Sequence, residues 1–452
     1  MADEVDVVVV GLGVGGEEVA GRLAAAGLSV VGVEHRLVGG ECPYWGCVPS
    51  KMMIRAANTL AEAHRVGGLS GLATVEPDWG PVARRIREEA TDDWDDRVAV
   101  ERFVGKGGRF VRGFGRLAGP GRVEVDEEVL TARRGVVVGV GTAPSVPPID
   151  GLAGTPYWTN REAIETEELP DSLIVLGGGA VGLELAQVFA RFGVPVTVVE
   201  ALDRLLAMEE PEASDLAAKA LGGDEIAIRT GAKAARVEHD GQQFTLVLED
   251  GQRLVAQRLL VATGRAANLG DLGLASVGLD ERDRFLDTDE WLRAGERLWA
   301  VGDVTGHGAF THVAMYQADI VVRDILGQGG PAADYRALPR VTFTDPEIGA
   351  VGLTEAQARE RGVRVRTGYT DLTTSARGWI HKAGNAGFIK LVADADRDVL
   401  VGATSAGPAG GEVLSALTVA VHAEVPLGRL RSMIYAYPTF HRAIEDAVKD
   451  LG

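Results

Sequence analysis

A chain of 452 residues, 46% hydrophobic and 6% aromatic, is long enough for roughly two to four domains with complete cores. Lys plus Arg number 46 against 65 Asp plus Glu, a net charge of −19, which disfavours nucleic acid or an anionic membrane as partner and reads as a solvated, self-repelling surface. The start, Met1-Ala2-Asp3-Glu4, has neither the basic opening nor the cleavage site of a secretory signal, and no apolar run is long enough for a bilayer, so a cytoplasmic location is expected.

The apolar run Val5–Val10 predicts a buried parallel strand entering Gly11-x-Gly13-x-x-Gly16. A helix over Glu17–Ala26 stopped by Gly27 follows, then a strand over Ser29–Val33 ending in Glu34. This is the dinucleotide fingerprint in its required context. The first glycine makes a tight turn, the second lets a pyrophosphate approach, the third allows close helix–strand packing, and the acid holds ribose hydroxyls.

Gly39–Lys51 reads G-G-E-C-P-Y-W-G-C-V-P-S-K and holds Cys42 and Cys47, the only 2 cysteines of the chain. A stabilising disulfide gains most from a long loop, and this short one would contribute roughly 2 kcal/mol on the chain-entropy model. A zinc site needs about four ligands, and no further cysteine is available to complete one. Two unrelated buried thiols remain an alternative. The reading adopted is a redox-active dithiol, in a compartment where disulfides are more often catalytic than structural.

Pro77–Glu101 is charged and helix-like, a solvated face, and Val136–Val140 is a further strand leading through Gly141-Thr142-Ala143-Pro144 into a proline-rich link. The dinucleotide unit then returns. Strand Leu173–Leu176 enters Gly177-x-Gly179-x-x-Gly182, a helix spans Leu183–Phe192 with Gly193 as its stop, and strand Val196–Val199 ends in Glu200. Glycine, stop and acid recur at the same spacing in both copies, so the chain carries two dinucleotide sites, most simply to pass electrons between them. Leu259–Arg265 is the counterpart of the first exit strand, and Leu298–Asp303 delivers an aspartate to a strand's carboxyl end, where ligands of open α/β sheets collect. Beyond a linker at Gly329–Pro339, strands are expected over Arg340–Gly352 and Gly387–Ala403 and helices over Glu412–Ala423 and Phe440–Leu451. That tail has no phosphate loop and reads as a packing or oligomerisation domain.

Taken together, G-L-G-V-G-G, the cysteine stretch, G-G-G-A-V-G-L-E, A-T-G-R, A-V-G-D, F-T-H-V-A and F-T-D-P-E-I-G-A-V-G-L-T resemble the FAD-dependent pyridine nucleotide–disulfide oxidoreductases from end to end. That family includes dihydrolipoamide dehydrogenase and mycothione and mercuric reductases. The resemblance implies an α/β fold: an FAD domain over residues 1–149 and 267–334, a Rossmann-like NAD(P) domain over 150–266 and an α+β dimerisation domain over 335–452. It implies that Gly11, Gly13, Gly16, Glu34, Gly115, Gly141, Asp303 and Ala314 hold FAD. Gly177, Gly179, Gly182, Glu200 and Gly264 would hold NAD(H), in preference to NADP(H) because Glu200 repels a 2′-phosphate. Arg204 is close enough in sequence to soften that preference. Lys51 and Glu184 would form an ion pair beside the flavin. Cys47 would lie against the flavin and, beside Lys51, be the thiolate, while Cys42 faces the substrate. No metal centre is implied, and a homodimer is.

The resemblance breaks at the tail. Disulfide-reducing members carry H-P-T-x-x-E, supplied across the two-fold axis, whereas this chain has Tyr437-Pro438-Thr439-Phe440-His441-Arg442. Tyrosine replaces the acid–base histidine and arginine replaces the glutamate that orients it, with His441 as a substitute candidate. Tyrosine there is similar to mercuric reductase, which also needs a C-terminal cysteine pair that this chain lacks. Pro43-Tyr44-Trp45-Gly46 is also more aromatic than usual between the cysteines, which would narrow access, stack an aromatic acceptor or simply pack. The expected activity is electron transfer from NADH through FAD to Cys42–Cys47 and on to a small-molecule acceptor. The alternatives are a quinone, dye or metal-ion reductase or transhydrogenase using the flavin directly, and an FAD-bound redox sensor or assembly protein.

Overall fold

The computed structural model describes residues 3–452, which divide into two compact units. The first comprises the residues up to 49 with Arg84–Ser145 and Arg265–Asp334; the second comprises Ser50–Ala83, Val146–Gly264 and Tyr335–Gly452. Residues 50–83, placed with the FAD domain on sequence, therefore group with the second unit.

The first unit is organised on strand Asp3–Val10, which pairs in parallel with Val30–Glu34 on one side and Glu128–Val138 on the other. Val7 and Val9 face one core with Leu12, Val19, Leu23 and Ile320, whereas Val8 and Val10 face another with Val31, Val33 and Leu117. A strand covered on both faces must be apolar at every position, which is why Val5–Val10 does not alternate. Arg109–Arg112 extends the sheet in parallel beyond Val30–Glu34, and Leu298–Ala300 extends it beyond Glu128–Val138. The strand expected over Leu298–Asp303 ends at Ala300, and Asp303 opens a short 3-10 turn instead.

The second unit holds a four-stranded parallel sheet built on Leu173–Leu176 and a three-stranded antiparallel sheet of Ala234–His239, Phe244–Leu248 and Arg253–Ala256. Its tail is a five-stranded antiparallel sheet. The regions expected as single strands over Arg340–Gly352 and Gly387–Ala403 are hairpins, Pro339–Thr342 with Glu347–Gly352 and Phe388–Asp394 with Val399–Gly407. Ile389, Leu391 and Ala393 pack against Leu414, Leu417 and Val421 of helix Gly410–His422 and against Ile444, Ala447 and Val448 of helix Ala443–Asp450.

The charged segment Pro77–Glu101 is not one helix. Gly80–Arg85 is α-helical and Ile86–Ala90 is π-helical; Asp92, Asp93 and Trp94 then take φ of 48°, 56° and 56° before helix Arg97–Gly105 resumes. Three successive left-handed non-glycine residues break any helix, and nearby tertiary bonds hold the turn. Asp96, buried, accepts from Val38 N at 2.7 Å and pairs with Arg112 at 2.6 Å. No helix among the described residues is long and apolar enough to cross a membrane.

Candidate active site

Both glycine loops are built alike. Gly11 has φ +88°, and a Cβ there would stand 2.6 Å from Gly139 O; Gly177 has φ +117°, and its Cβ would stand 2.3 Å from Ala262 O. The third glycines press a helix onto the loop, since a Cβ on Gly16 would meet Gly11 O at 2.0 Å and one on Gly182 would meet Gly177 O at 2.3 Å. The middle glycines are the open ones. A Cβ on Gly13 comes no nearer than 3.9 Å to anything, and one on Gly179 meets nothing within 4 Å. Helices Val14–Ala25 and Ala180–Arg191 start there with extended N-caps that carry no side-chain cap, leaving their first N–H groups for a ligand.

The acids match too. Glu34 accepts from Leu12 N at 2.9 Å and from Arg36 N at 2.8 Å; Glu200 accepts from Gly178 N at 2.6 Å and from Leu202 N at 2.8 Å. Burial of Glu34 works against its charge, but hydrogen bonds from His35, Arg36 and Leu12 hold its carboxyl below the usual range. Arg204 is committed elsewhere. Its guanidinium donates to Ser214 Oγ at 2.7 Å and to the carbonyls of Ala207 at 2.6 Å and Glu209 at 3.0 Å, so it fixes its own loop.

In the first unit, Arg265 Nε donates to Thr142 Oγ1 at 2.7 Å, and the Thr142 hydroxyl donates to Asp303 Oδ2 at 2.7 Å. Glu41 lies 3.5 Å from the same guanidinium. Burial pushes the Asp303 carboxyl above its ordinary value despite Thr142 and Arg265. A raised carboxyl is suited to ligand hydroxyls, which would restore its charge. Thr142 and Arg265 adjoin the sequence-assigned Gly141 and Gly264, but nothing local signals that they bond to each other. Gly141, at φ +65°, has nothing within 4 Å of a Cβ, Gly115 is buried against Val10, and Ala314 is buried beside Gly15 and Gly302.

Cys42 lies in the one-turn helix Glu41–Tyr44, and Cys47 opens helix Cys47–Arg65, where the helix dipole favours negative charge. Both stand as thiols. Cys47 Sγ is 3.3 Å from Thr311 Oγ1, a contact that sequence reading missed although Thr311 stands inside the quoted F-T-H-V-A. A hydrogen bond with Cys47, and then burial, raise the Cys42 pKa well above the ordinary thiol value, so Cys42 keeps its proton.

In the second unit Lys51 Nζ meets Glu184 Oε2 at 2.8 Å, and the pair is completed by Phe343, whose N–H donates to Glu184 Oε1 at 2.8 Å. Tyr437 is 69% exposed, with the Arg442 guanidinium 5.6 Å from its ring centre; His441 packs 6.2 Å from the Tyr435 ring. Among the described residues, no group of three or more His, Cys, Asp or Glu is placed to hold a metal ion.

Three comparisons with known proteins bear on these features. The family model for pyridine nucleotide-disulphide oxidoreductase matches residues 5–318, and that family's dimerisation domain matches residues 338–448. This chain belongs to the pyridine nucleotide–disulfide oxidoreductases. A mercuric reductase of Streptomyces lividans is 34% identical over 98% of the chain and 95% of its own length; a dihydrolipoyl dehydrogenase of Thermus scotoductus is 32% identical over 99% and 97%. The crystal structure of LpdA from Mycobacterium tuberculosis superposes with a TM-score of 0.87 at 26% identity, covering 100% of both chains. As a member of this oxidoreductase family the protein is an FAD enzyme that uses a nicotinamide nucleotide, with a C-terminal domain of the kind that forms homodimers. The open middle glycines, free helix N-termini and paired acids of both loops fit two dinucleotides.

Proposed function

We propose that the enzyme takes electrons from NADH and delivers them, through the Cys42–Cys47 pair, to a small acceptor that meets Cys42. The observation that carries this reading is the meeting of the two thiols: Cys42 hydrogen-bonds Cys47, and Cys47 Sγ stands 3.3 Å from Thr311 Oγ1. Gly11, Gly13, Gly16, Glu34, Gly115, Gly141, Asp303 and Ala314 would hold FAD; Gly177, Gly179, Gly182, Glu200 and Gly264 would hold the nicotinamide nucleotide. Bound FAD supplies the two-electron exchange between NADH and the cysteine pair.

With a disulfide acceptor the thiol chemistry balances as follows. Cys42, once deprotonated, attacks one sulfur of the acceptor; the acceptor S–S bond breaks, and the first half leaves and takes a proton. Cys47 then attacks the Cys42 sulfur of the mixed disulfide, and the second half leaves. The cysteines end as a disulfide and the acceptor as two thiols. Because Cys42 holds its proton, the first step needs a base, and the tail offers Tyr437 or His441 where the family has histidine.

A second reading, reduction of a thiophilic metal ion at the same thiols, is favoured by Tyr437 and by relatives that are mercuric reductases. Cys42→Ser tests the shared core of both. Turnover of disulfide or metal should collapse while reduction of artificial dyes persists, and undiminished disulfide turnover would refute the proposal.

A further inference from the structure

The loop that runs on from Glu200 lies against the second glycine loop. Leu206 N donates to Gly178 O at 2.9 Å, and a Cβ on Gly178 would meet the Leu205 side chain at 2.7 Å. Leu206 has φ of 46°, a left-handed conformation that a leucine keeps only where its surroundings impose it. Part of that constraint is local, since Arg204 donates to the carbonyls of Ala207 and Glu209. The rest comes from the C-terminal sheet.

Two cations of that sheet grip the far end of the loop. Arg340, on strand Pro339–Thr342, forks onto Glu209, with Nε at 2.6 Å and a terminal nitrogen at 2.8 Å. Lys390, on strand Phe388–Asp394, meets Glu210 at 3.0 Å, Glu212 at 2.7 Å and Glu355 at 3.0 Å. Glu210 spends its other oxygen on Glu355 N at 2.6 Å. Lys390 and Glu210 are 5% and 2% exposed. Burial works against the Lys390 charge, yet hydrogen bonds to Glu212, Glu355 and Glu210 hold its pKa above the usual lysine range. Apolar residues of that size would pack here without the cost of desolvating charge. What an ammonium with three donors adds is position: it fixes where Glu210 and Glu212 stand, at the start of helix Pro211–Gly223. A forked arginine fixes Glu209 in the same way.

We infer that Arg340 and Lys390 are positioning residues for the nicotinamide nucleotide. Through Glu209 and Glu210 they hold Leu205 and Leu206 against Gly178, and so keep the Gly177–Gly182 loop in the shape that receives a pyrophosphate. The C-terminal domain thereby sets nucleotide affinity, a role separate from dimerisation. The inference rests on the reading that Gly177, Gly179 and Gly182 hold this nucleotide. Arg340 and Lys390 act only through the loop.

Steady-state kinetics of the FAD-loaded enzyme with an artificial dye as acceptor test it, a readout that does not pass through the cysteines. Arg340→Ala should raise KM for NADH about 5–20-fold, and KM for NADPH by the same factor, with kcat and the KM for the dye unchanged. Arg340→Lys, which keeps the charge and loses the fork, should recover part of the affinity. Glu209→Gln should match Arg340→Ala, and combining the two should add nothing, because both break one link. Lys390→Met leaves three carboxylates without compensation, so the partly solvated Arg340 carries the test. FAD content and melting temperature report whether each variant folds, and Glu209→Gln probes the same bond should Arg340→Ala not fold. A purely structural ion pair would lower the melting temperature and leave the KM for NADH where it was. That outcome, or an equal rise in the KM for the dye, overturns the inference. Gly179→Val, at a position where a Cβ meets nothing within 4 Å, should abolish NADH use. Undiminished NADH turnover by that variant overturns the nucleotide assignment instead.

Discussion

Lys51 and Glu184 are joined at 2.8 Å, and Phe343 closes the pair from both sides, its N–H on the second carboxylate oxygen and its ring 4.7 Å from the ammonium. Glu184 is 5% exposed, so its charge depends on this cation for compensation. Lys51→Met should therefore lower the melting temperature by several degrees, about 1–3 kcal/mol given that Lys51 is itself partly solvated. If the ammonium also stabilises charge during the reaction, NADH-driven reduction should slow about 10²-fold or more. Lys51→Arg should keep the stability. A thermal melt and a stopped-flow trace of Lys51→Met that both match wild type would show the pair to be ornamental.

Electron capacity separates a working dithiol from two bystanders. Anaerobic titration of the FAD-loaded enzyme should consume about four electrons per chain, about two at the FAD and about two at Cys42 and Cys47. Cys42→Ser should stop at about two. A wild-type titration that also stops there would remove the cysteines from the reaction.

Nucleotide preference follows from what Glu200 and Arg204 each hold. Glu200 caps its own glycine loop and, in the proposed nucleotide site, would present negative charge to a 2′-phosphate, while Arg204 is spent on Ser214, Ala207 and Glu209. NADH should be favoured over NADPH by roughly tenfold or more in kcat/KM. Glu200→Gln should narrow the ratio. Arg204→Ala should lower the melting temperature and leave the ratio alone; a shift in preference on losing Arg204 would mean that it reaches the nucleotide after all.

The two glycine loops were legible because their constraints are local: a positive φ at Gly11 and Gly177 and a close helix at Gly16 and Gly182 leave no other residue type. Buried strands such as Asp3–Val10 announced themselves for the same reason. What escaped the sequence was set by contacts between distant residues. Arg265 reaches Thr142 across 123 positions, Phe343 reaches Glu184 across 159 and Thr311 reaches Cys47 across 264, and no local pattern encodes such meetings. The Pro77–Glu101 region failed differently: its charge spacing is helical, but Asp96 is drawn to Val38 and Arg112, and the chain turns left-handed to deliver it.

Asp303 makes stability depend on pH in the FAD-free protein. Its carboxyl is raised by burial, so the folded state binds the proton more tightly than the unfolded state does. That contribution is fully present at low pH, below the unfolded pKa, and is lost as pH climbs through the raised value. Asp303→Asn should remove this loss, making the apoprotein at pH about 8 at least as stable as wild type while weakening FAD retention. Melting curves of the apoproteins at several pH values, with FAD binding measured alongside, decide it; unchanged FAD affinity would take Asp303 out of the cofactor site.

By the resemblance of its tail, Tyr437 stands where disulfide-reducing members would carry histidine, and Cys42 shows why that would matter. A thiol raised by its partner's hydrogen bond and by burial must lose a proton before it can attack. An ordinary imidazole, pKa about 6.5, accepts and returns that proton near neutrality, whereas a phenol, pKa about 10, donates readily and accepts poorly. Arg442 does not take over the missing glutamate's role; it pairs with Glu445 at 2.6 Å and lies over the Tyr437 ring. Losing general acid–base help costs about 10²–10⁴-fold, so wild-type turnover of lipoamide or glutathione disulfide should be slow, and acceptors that need little proton movement should do better. Tyr437→His with Arg442→Glu should raise disulfide turnover and give it a pH profile governed by an imidazole. His441→Ala should change little if that residue is only packed against Tyr435. Rapid disulfide turnover in wild type, abolished by His441→Ala, would instead make His441 the base and Tyr437 a spectator.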